Sequence, residues 1–162
     1  MSAGALHLLT GKIAAGKSTL AAQLAEETGG LMLAEDHWLP TLYPAQITSL
    51  EDYLRESTRF RAAIAPLIVD LLGRGITVIL DFPANTIASR TWMRGLADAA
   101  GIVATLHFLD LPDDLCRQRL HARNAAGTHP YQANDAEFDQ FTALFVAPDE
   151  EEGFEIIRHV KS

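Results

Sequence analysis

The chain has 162 residues, 48% hydrophobic and 21% charged, which suits one soluble globular domain with a single core rather than a disordered or membrane-embedded protein. Lys and Arg number 13 against 21 Asp and Glu, a formal net charge of -8, so DNA or RNA is repelled over most of the surface and a neutral or cationic small molecule is the easier partner. The opening MSAGALHLLTG has no basic segment followed by a long apolar one, and no later apolar run approaches a membrane span, which predicts a cytoplasmic protein without membrane contact.

In chain order, ALHLL, GLMLA, ITVIL, VATLHFL and FEIIRHV read as strands, and the longer segments between them carry helical patterns. Such alternation predicts an α/β fold of three layers, with a five-stranded parallel sheet covered by helices on both faces, in a single domain over residues 1–162. From Ser49 to Gly73, Leu50, Tyr53, Leu54, Phe60, Ile64, Leu67, Ile68, Leu71 and Leu72 recur at helical spacing. Pro66 lies inside this run and predicts a kink or break. The only long connection without apolar periodicity is NAAGTHPYQAN, Asn124 to Asn134, and a loop of that kind in a compact domain is usually functional. Cys116 is the one cysteine, and its helical apolar surroundings mark it as a small core residue.

Between the first strand and a helix running from about Lys17 to Gly29 lies GKIAAGKS, Gly11 to Ser18, a P-loop pattern in its expected context. The glycines let successive N–H groups turn toward one point, and the following helix directs its positive end there. This predicts an ATP site in which Gly11, Ala14, Ala15, Gly16, Lys17, Ser18 and Thr19 contact phosphate, Lys17 reaches the β and γ phosphates, and the Ser18 hydroxyl ligates Mg²⁺.

In open α/β sheets ligands lie beyond the carboxyl ends of the strands, and those ends are acidic here: Glu35 and Asp36, Asp81, and Asp110. Asp81 follows an apolar run as a Mg²⁺-holding acid does, with a cap or turn role before FPANT as its alternative. Asp36 either caps a helix or acts as the base toward an acceptor hydroxyl, and catalysis is the role expected for it. Asp110, in DLPDD, is expected in a turn with Pro112 opening a helix, and Asn85 as an N-cap more than an acceptor contact.

A helix from Asp113 to Asn124, at about 100° per residue, puts Leu115, Cys116 and Leu120 on one face together with Arg119 and Arg123, while Arg117, Gln118 and His121 point elsewhere. Two inward guanidiniums are costly unless an anion or acid meets them, so they are expected at the triphosphate, with Arg123 opening a lid over residues 124–134. None of the six histidines has metal-ligand spacing. Trp38, Tyr43 and Phe82 either wall an acceptor pocket or pack in the core.

With GKIAAGKST, LAEDHW, VILDFPANT and CRQRLHARN in place, the chain resembles the small P-loop kinases around the zeta toxins, chloramphenicol phosphotransferase and the kinase domain of phage polynucleotide kinase. That resemblance implies a nucleoside/nucleotide-kinase-like fold and transfer of the γ-phosphoryl group of ATP to a hydroxyl of a small molecule. It makes Asp36 the base, Arg123 the lid arginine and Arg119 a neighbour of adenine, with Lys17 completing the catalytic set. The acidic balance departs from polynucleotide kinase and argues against a nucleic-acid acceptor. Rival readings are a silent or regulatory ATP-binding module and a nucleoside monophosphate kinase using Arg55 and Arg59 for the acceptor phosphate. An AAA-type motor is a further rival, set against it the lack of room for the usual helical lid domain in 162 residues.

Overall fold

A computed structural model describes residues 2–127 and 133–160. The elements run β1 (Leu6–Thr10), α1 (Lys17–Thr28), β2 (Leu31–Ala34), α2 (Glu35–Leu42), α3 (Leu50–Gly73), β3 (Val78–Pro83), α4 (Ile87–Ala100), β4 (Thr105–Leu109), α5 (Asp113–Ala126), α6 (Asp135–Leu144), a 3₁₀ turn (Glu150–Glu152) and β5 (Glu155–His159). The five strands form one parallel sheet in the order β2-β3-β1-β4-β5, as the alternation of patterns predicts.

Strand side chains alternate between two cores. Leu6, Leu8, Val78, Leu80, Phe82 and Leu106 face α3 and α4, whereas Leu9, Ile79 and Leu109 face α1, α5 and α6. Because both faces are covered, the central strands bury apolar residues on both sides of the sheet instead of on one, with Thr10 and His107 as buried polar exceptions. The chain builds outward from β1 toward β2 and later toward β4 and β5, so the order reverses at β1 and opens a crevice beyond its carboxyl end.

The expected break at Pro66 does not occur: α3 is continuous for 24 residues. Phe60 and Ile64 before the proline and Ile68 and Leu72 after it are buried in the same core. Each such side chain contributes about 1.5–3 kcal/mol on burial, which together outweighs the roughly 3 kcal/mol cost of an interior proline. Cys116 is fully buried, as expected of a core residue. Asn124 to Ala126, expected in a loop, complete the last turn of α5, and Gly127 closes it with φ 66°. Residues 128–132 of the expected lid lie outside the described residues.

A buried arginine that sequence patterning does not reveal ties the segment after α6 to the body. Arg90 of α4, 1% exposed, donates to Ala84 O at 2.9 Å and Val146 O at 2.8 Å, and pairs with Glu152 at 2.8 Å. Among the described residues no helix is long and apolar enough to cross a membrane.

Candidate active site

The loop after β1 carries two left-handed residues, Ala14 at φ 64° and Gly16 at φ 104°, which turn successive N–H groups toward one side. Gly16 is also the N-cap of α1 and has no side chain to satisfy the helix's first N–H groups. The positive end of α1 therefore opens on the cavity.

Gly11 lies behind this cradle. A Cβ there would come within 3.1 Å of Leu109 O and 3.2 Å of Leu109 Cβ, and its N–H donates to Asn85 Oδ1 at 3.0 Å. Thr10 Oγ1 donates to the same oxygen at 3.0 Å. Asn85 is thus not an N-cap; Thr86 caps α4 by accepting from Ser89 N–H, and Asn85 clamps the start of the loop. Ala15 is buried as well, with its N–H on Lys12 O at 3.1 Å. Ala14, Gly16, Lys17, Ser18 and Thr19 line the cavity itself.

Lys17 Nζ donates to the carbonyls of Gly11 and Lys12, the latter at 2.9 Å. Burial pulls its pKa down to about 8, opposed by the charges of Asp81 and Asp36. Ser18 Oγ donates to Asp81 Oδ2 at 2.8 Å. Burial pushes the Asp81 carboxyl up, and the Ser18 hydrogen bond draws it back. This pair offers two hard oxygen donors at the edge of the phosphate cradle, a set that fits Mg²⁺. Among the described residues no group of three or more His, Cys, Asp or Glu side chains is arranged to hold a metal ion.

Asp36 stands in the first turn of α2, directly after β2, and lines the cavity. The N-cap of α2 is Ala34, so the capping alternative for Asp36 does not hold. Its charge acts on Lys17, Asp81 and Arg123 together. Arg119 and Arg123 do face inward and line the same cavity. Arg119 Nη1 approaches Ala15 O at 3.4 Å, and Arg123 Nε is buried without a hydrogen-bond partner. Burial lowers the Arg123 pKa, and Asp36 opposes that shift. Arg117 turns away, pairing with Asp135 at 2.9 Å and Asp139 at 2.6 Å.

The remaining acids divide differently from expectation. Glu35 does not add charge to the cavity: it is fully buried, accepts from Tyr53 OH, and pairs with Arg61 Nε at 2.9 Å. Arg61 also donates to Ser89 Oγ at 2.8 Å and Pro83 O at 3.3 Å, with its guanidinium over the rings of Phe82 and Trp92. Asp110 pairs with Arg158 of β5 instead of shaping a turn, and Pro112 is the N-cap of α5 instead of its first residue. Of the three aromatics, only Tyr43 lines the cavity. Phe82 is in the core, and Trp38 packs on Phe60 at 5.4 Å between centroids. Arg55 and Arg59 pair with Asp52 and Glu56 outside the cavity.

Arg61, Tyr53 and Phe141 line the cavity without having been singled out for it by the sequence. For Arg61 the signal was present: it shares the buried stripe of α3 with Ser57, Phe60 and Ile64, where a cation needs a partner. The cavity encloses about 690 Å³ and runs from the phosphate cradle to the space between α3 and α6.

A phosphate-cradling loop at the reversal point of a parallel sheet, with the helix order seen here, defines a P-loop nucleotide-binding protein of kinase-like fold. The chain belongs to the family described as AAA domain, matched over residues 6–148. No curated protein sequence matches it. Among solved structures it is similar to a Chloroflexus aurantiacus protein whose assignment as a kinase is provisional, at 18% identity and TM-score 0.77, over 99% of this chain and 86% of that one. It is also similar to Chaetomium thermophilum Kti12 in complex with ADP-AlF3, at 16% identity and TM-score 0.70, over 96% and 88%. Mycobacterium tuberculosis APS kinase CysC in complex with AMPPNP and APS matches at 20% identity and TM-score 0.64, over 99% and 90%. At these identities the likeness carries the fold.

Proposed function

We infer that the protein is an ATP-dependent phosphotransferase that moves the γ-phosphoryl group of ATP to a hydroxyl of a small molecule. The observation that carries this reading is one continuous cavity with the phosphate cradle at one end, a chamber between α3 and α6 at the other, and Asp36 on its wall. A protein that only held a nucleotide would need the first end alone.

The N–H groups of the α1 terminus and Lys17 bind the β and γ phosphates, and leaving the loop carbonyls costs Lys17 two hydrogen bonds that phosphate oxygens replace. Ser18 and Asp81 are the residues that would hold Mg²⁺, which when bound neutralises charge on the phosphates. Asp36 accepts the proton of the acceptor hydroxyl as its oxygen forms the new bond to the γ phosphorus. The bond to the β-phosphate oxygen breaks, and ADP leaves. Arg123, whose buried Nε has no partner, stabilises charge on the transferring group, and Arg119 lies along the nucleotide.

The test is ATP labelled at the γ position, incubated with Mg²⁺ and a panel of hydroxyl compounds, beside a melting curve. ATP with Mg²⁺ should raise the melting temperature, and Lys17→Ala should abolish the shift. Asp36→Asn should keep ATP binding and lose transfer; Arg123→Ala should lose about a hundredfold or more in turnover. A wild type unmoved by millimolar ATP refutes the nucleotide site. ATP binding with no transfer across the panel returns the reading to a silent module.

A further inference from the structure

We propose that the acceptor end of the cavity selects an uncharged alcohol with an aromatic or alicyclic body, an inference that rests on the transfer reading above. The wall between α3 and α6 is apolar, formed by Ile47, Leu50, Leu54, Phe141, Leu144 and Phe145. Leu54 and Leu144 are 47% and 41% exposed, large apolar surface on cavity walls that none of the described residues covers. Tyr53 and Phe141 meet edge to face across the same space, 6.1 Å between centroids at 83°, and present ring surfaces to an occupant.

The polar groups of this end are engaged within the protein. Tyr53 OH donates to Glu35, Ser57 Oγ to Leu54 O at 3.3 Å, and Thr48 Oγ1 to Asp52 at 3.0 Å. Glu137 accepts from Asn134 N–H at 3.2 Å in the capping box that opens α6.

The guanidinium of this end is engaged in the same way. Arg61 is the guanidinium that lines this end, and Glu35 neutralises it while Ser89 and Pro83 take its other donors. Arg55 and Arg59 are held on Asp52 and Glu56 away from the cavity. An acceptor bearing phosphate or carboxylate would bury that anion beside apolar walls, and an ammonium would lose its hydration against the same walls. Among the described residues of this wall, Thr142 Oγ1 is buried with no hydrogen-bond partner, a polar atom for an occupant's substituent to satisfy. An apolar body against the leucines, one polar substituent at Thr142 and the reacting hydroxyl at Asp36 satisfy all three.

The test compares benzyl alcohol with its para-carboxylate, its para-aminomethyl counterpart and glucose. Titration calorimetry is run on the full chain with a non-hydrolysable ATP analogue and Mg²⁺ present. Binding is read without turnover, so failure of the transfer reading shows separately in the labelled-phosphate assay. Benzyl alcohol should bind, with the two charged analogues and glucose weaker by about tenfold or more. Leu54→Asp and Leu144→Asp, at exposed positions whose melting temperatures report the fold, should each weaken benzyl alcohol by about tenfold. The proposal is overturned if benzyl alcohol does not bind, if glucose or either charged analogue binds as tightly, or if both folded variants retain wild-type affinity for it.

Discussion

Replacing Arg61 with methionine tests whether the Glu35 pair holds the catalytic end in place. Glu35 is fully buried and has two partners, Tyr53 OH and Arg61 Nε. Arg61→Met leaves the carboxylate with the phenol alone, and Ser89 and Pro83 lose their donor as well. Breaking a buried pair from one side costs about 3–5 kcal/mol, because the remaining charge stays desolvated. For a chain of this size that lowers the melting temperature by about 6–20 °C. Adding Glu35→Gln keeps an acceptor for Tyr53 and removes the stranded charge, so the double variant should recover at least about half of the loss. Urea denaturation of the four proteins in the cycle measures the coupling. Asp36 follows Glu35 in the first turn of α2, so under the proposed function the single variant should also slow transfer, by displacing the proposed base. A loss below about 1 kcal/mol for Arg61→Met, the size of an exposed pair, would refute the reasoning.

Asn85→Ala removes the acceptor shared by Thr10 Oγ1 and Gly11 N–H; it should cost about 1–3 kcal/mol and weaken ATP, read by denaturation and by titration with nucleotide. Unchanged ATP affinity would show that the loop holds its shape without this clamp. His107, 4% exposed, stands between His7 and His159 with ring nitrogens 3.0 Å apart on each side, and burial, then its two neighbours, lowers its pKa from 6.5 to about 4. The unfolded chain binds this proton first, so the contribution is whole above 6.5 and is lost as pH falls toward 4; melting curves across that window should flatten in His107→Phe.

The features legible in the sequence are those in which a local pattern suffices. Each of the five runs became a strand; the central ones are rich in apolar residues because both faces of the sheet are covered there, whereas the edge strand β5 buries none of its residues fully. Gly11 to Ser18 is legible because backbone turn, lysine and hydroxyl are contiguous there. Arg119 and Arg123 were placed on the inward face by helical periodicity, and both line the cavity. At Pro66 the break, one of the two outcomes expected, does not occur, because a local penalty was weighed without the packing on both sides of it. The partners of Arg61 and Asn85 were obscured for another reason: they stand 26 and 74 residues away, and no spacing rule reaches that far, although helical periodicity puts Arg61 itself on the buried stripe of α3.

The strand-end acids show why a site cannot be assembled from residue type alone. In the sequence Glu35, Asp36, Asp81 and Asp110 carry one signature, an acid after an apolar run. In the fold their partners separate them. Glu35 is spent on Arg61 and Tyr53, and Asp110 on Arg158, so neither is available to a ligand. Asp81 meets the loop hydroxyl Ser18, which suits the metal-holding acid proposed above, and Asp36 acts on Lys17 and Arg123 together, which suits the proposed base beside a phosphoryl group. With Glu35 neutralised, the acceptor end carries less negative charge than the sequence suggests. The net charge of -8 therefore says little about the acceptor, and the apolar wall of α3 and α6 becomes the stronger guide to it.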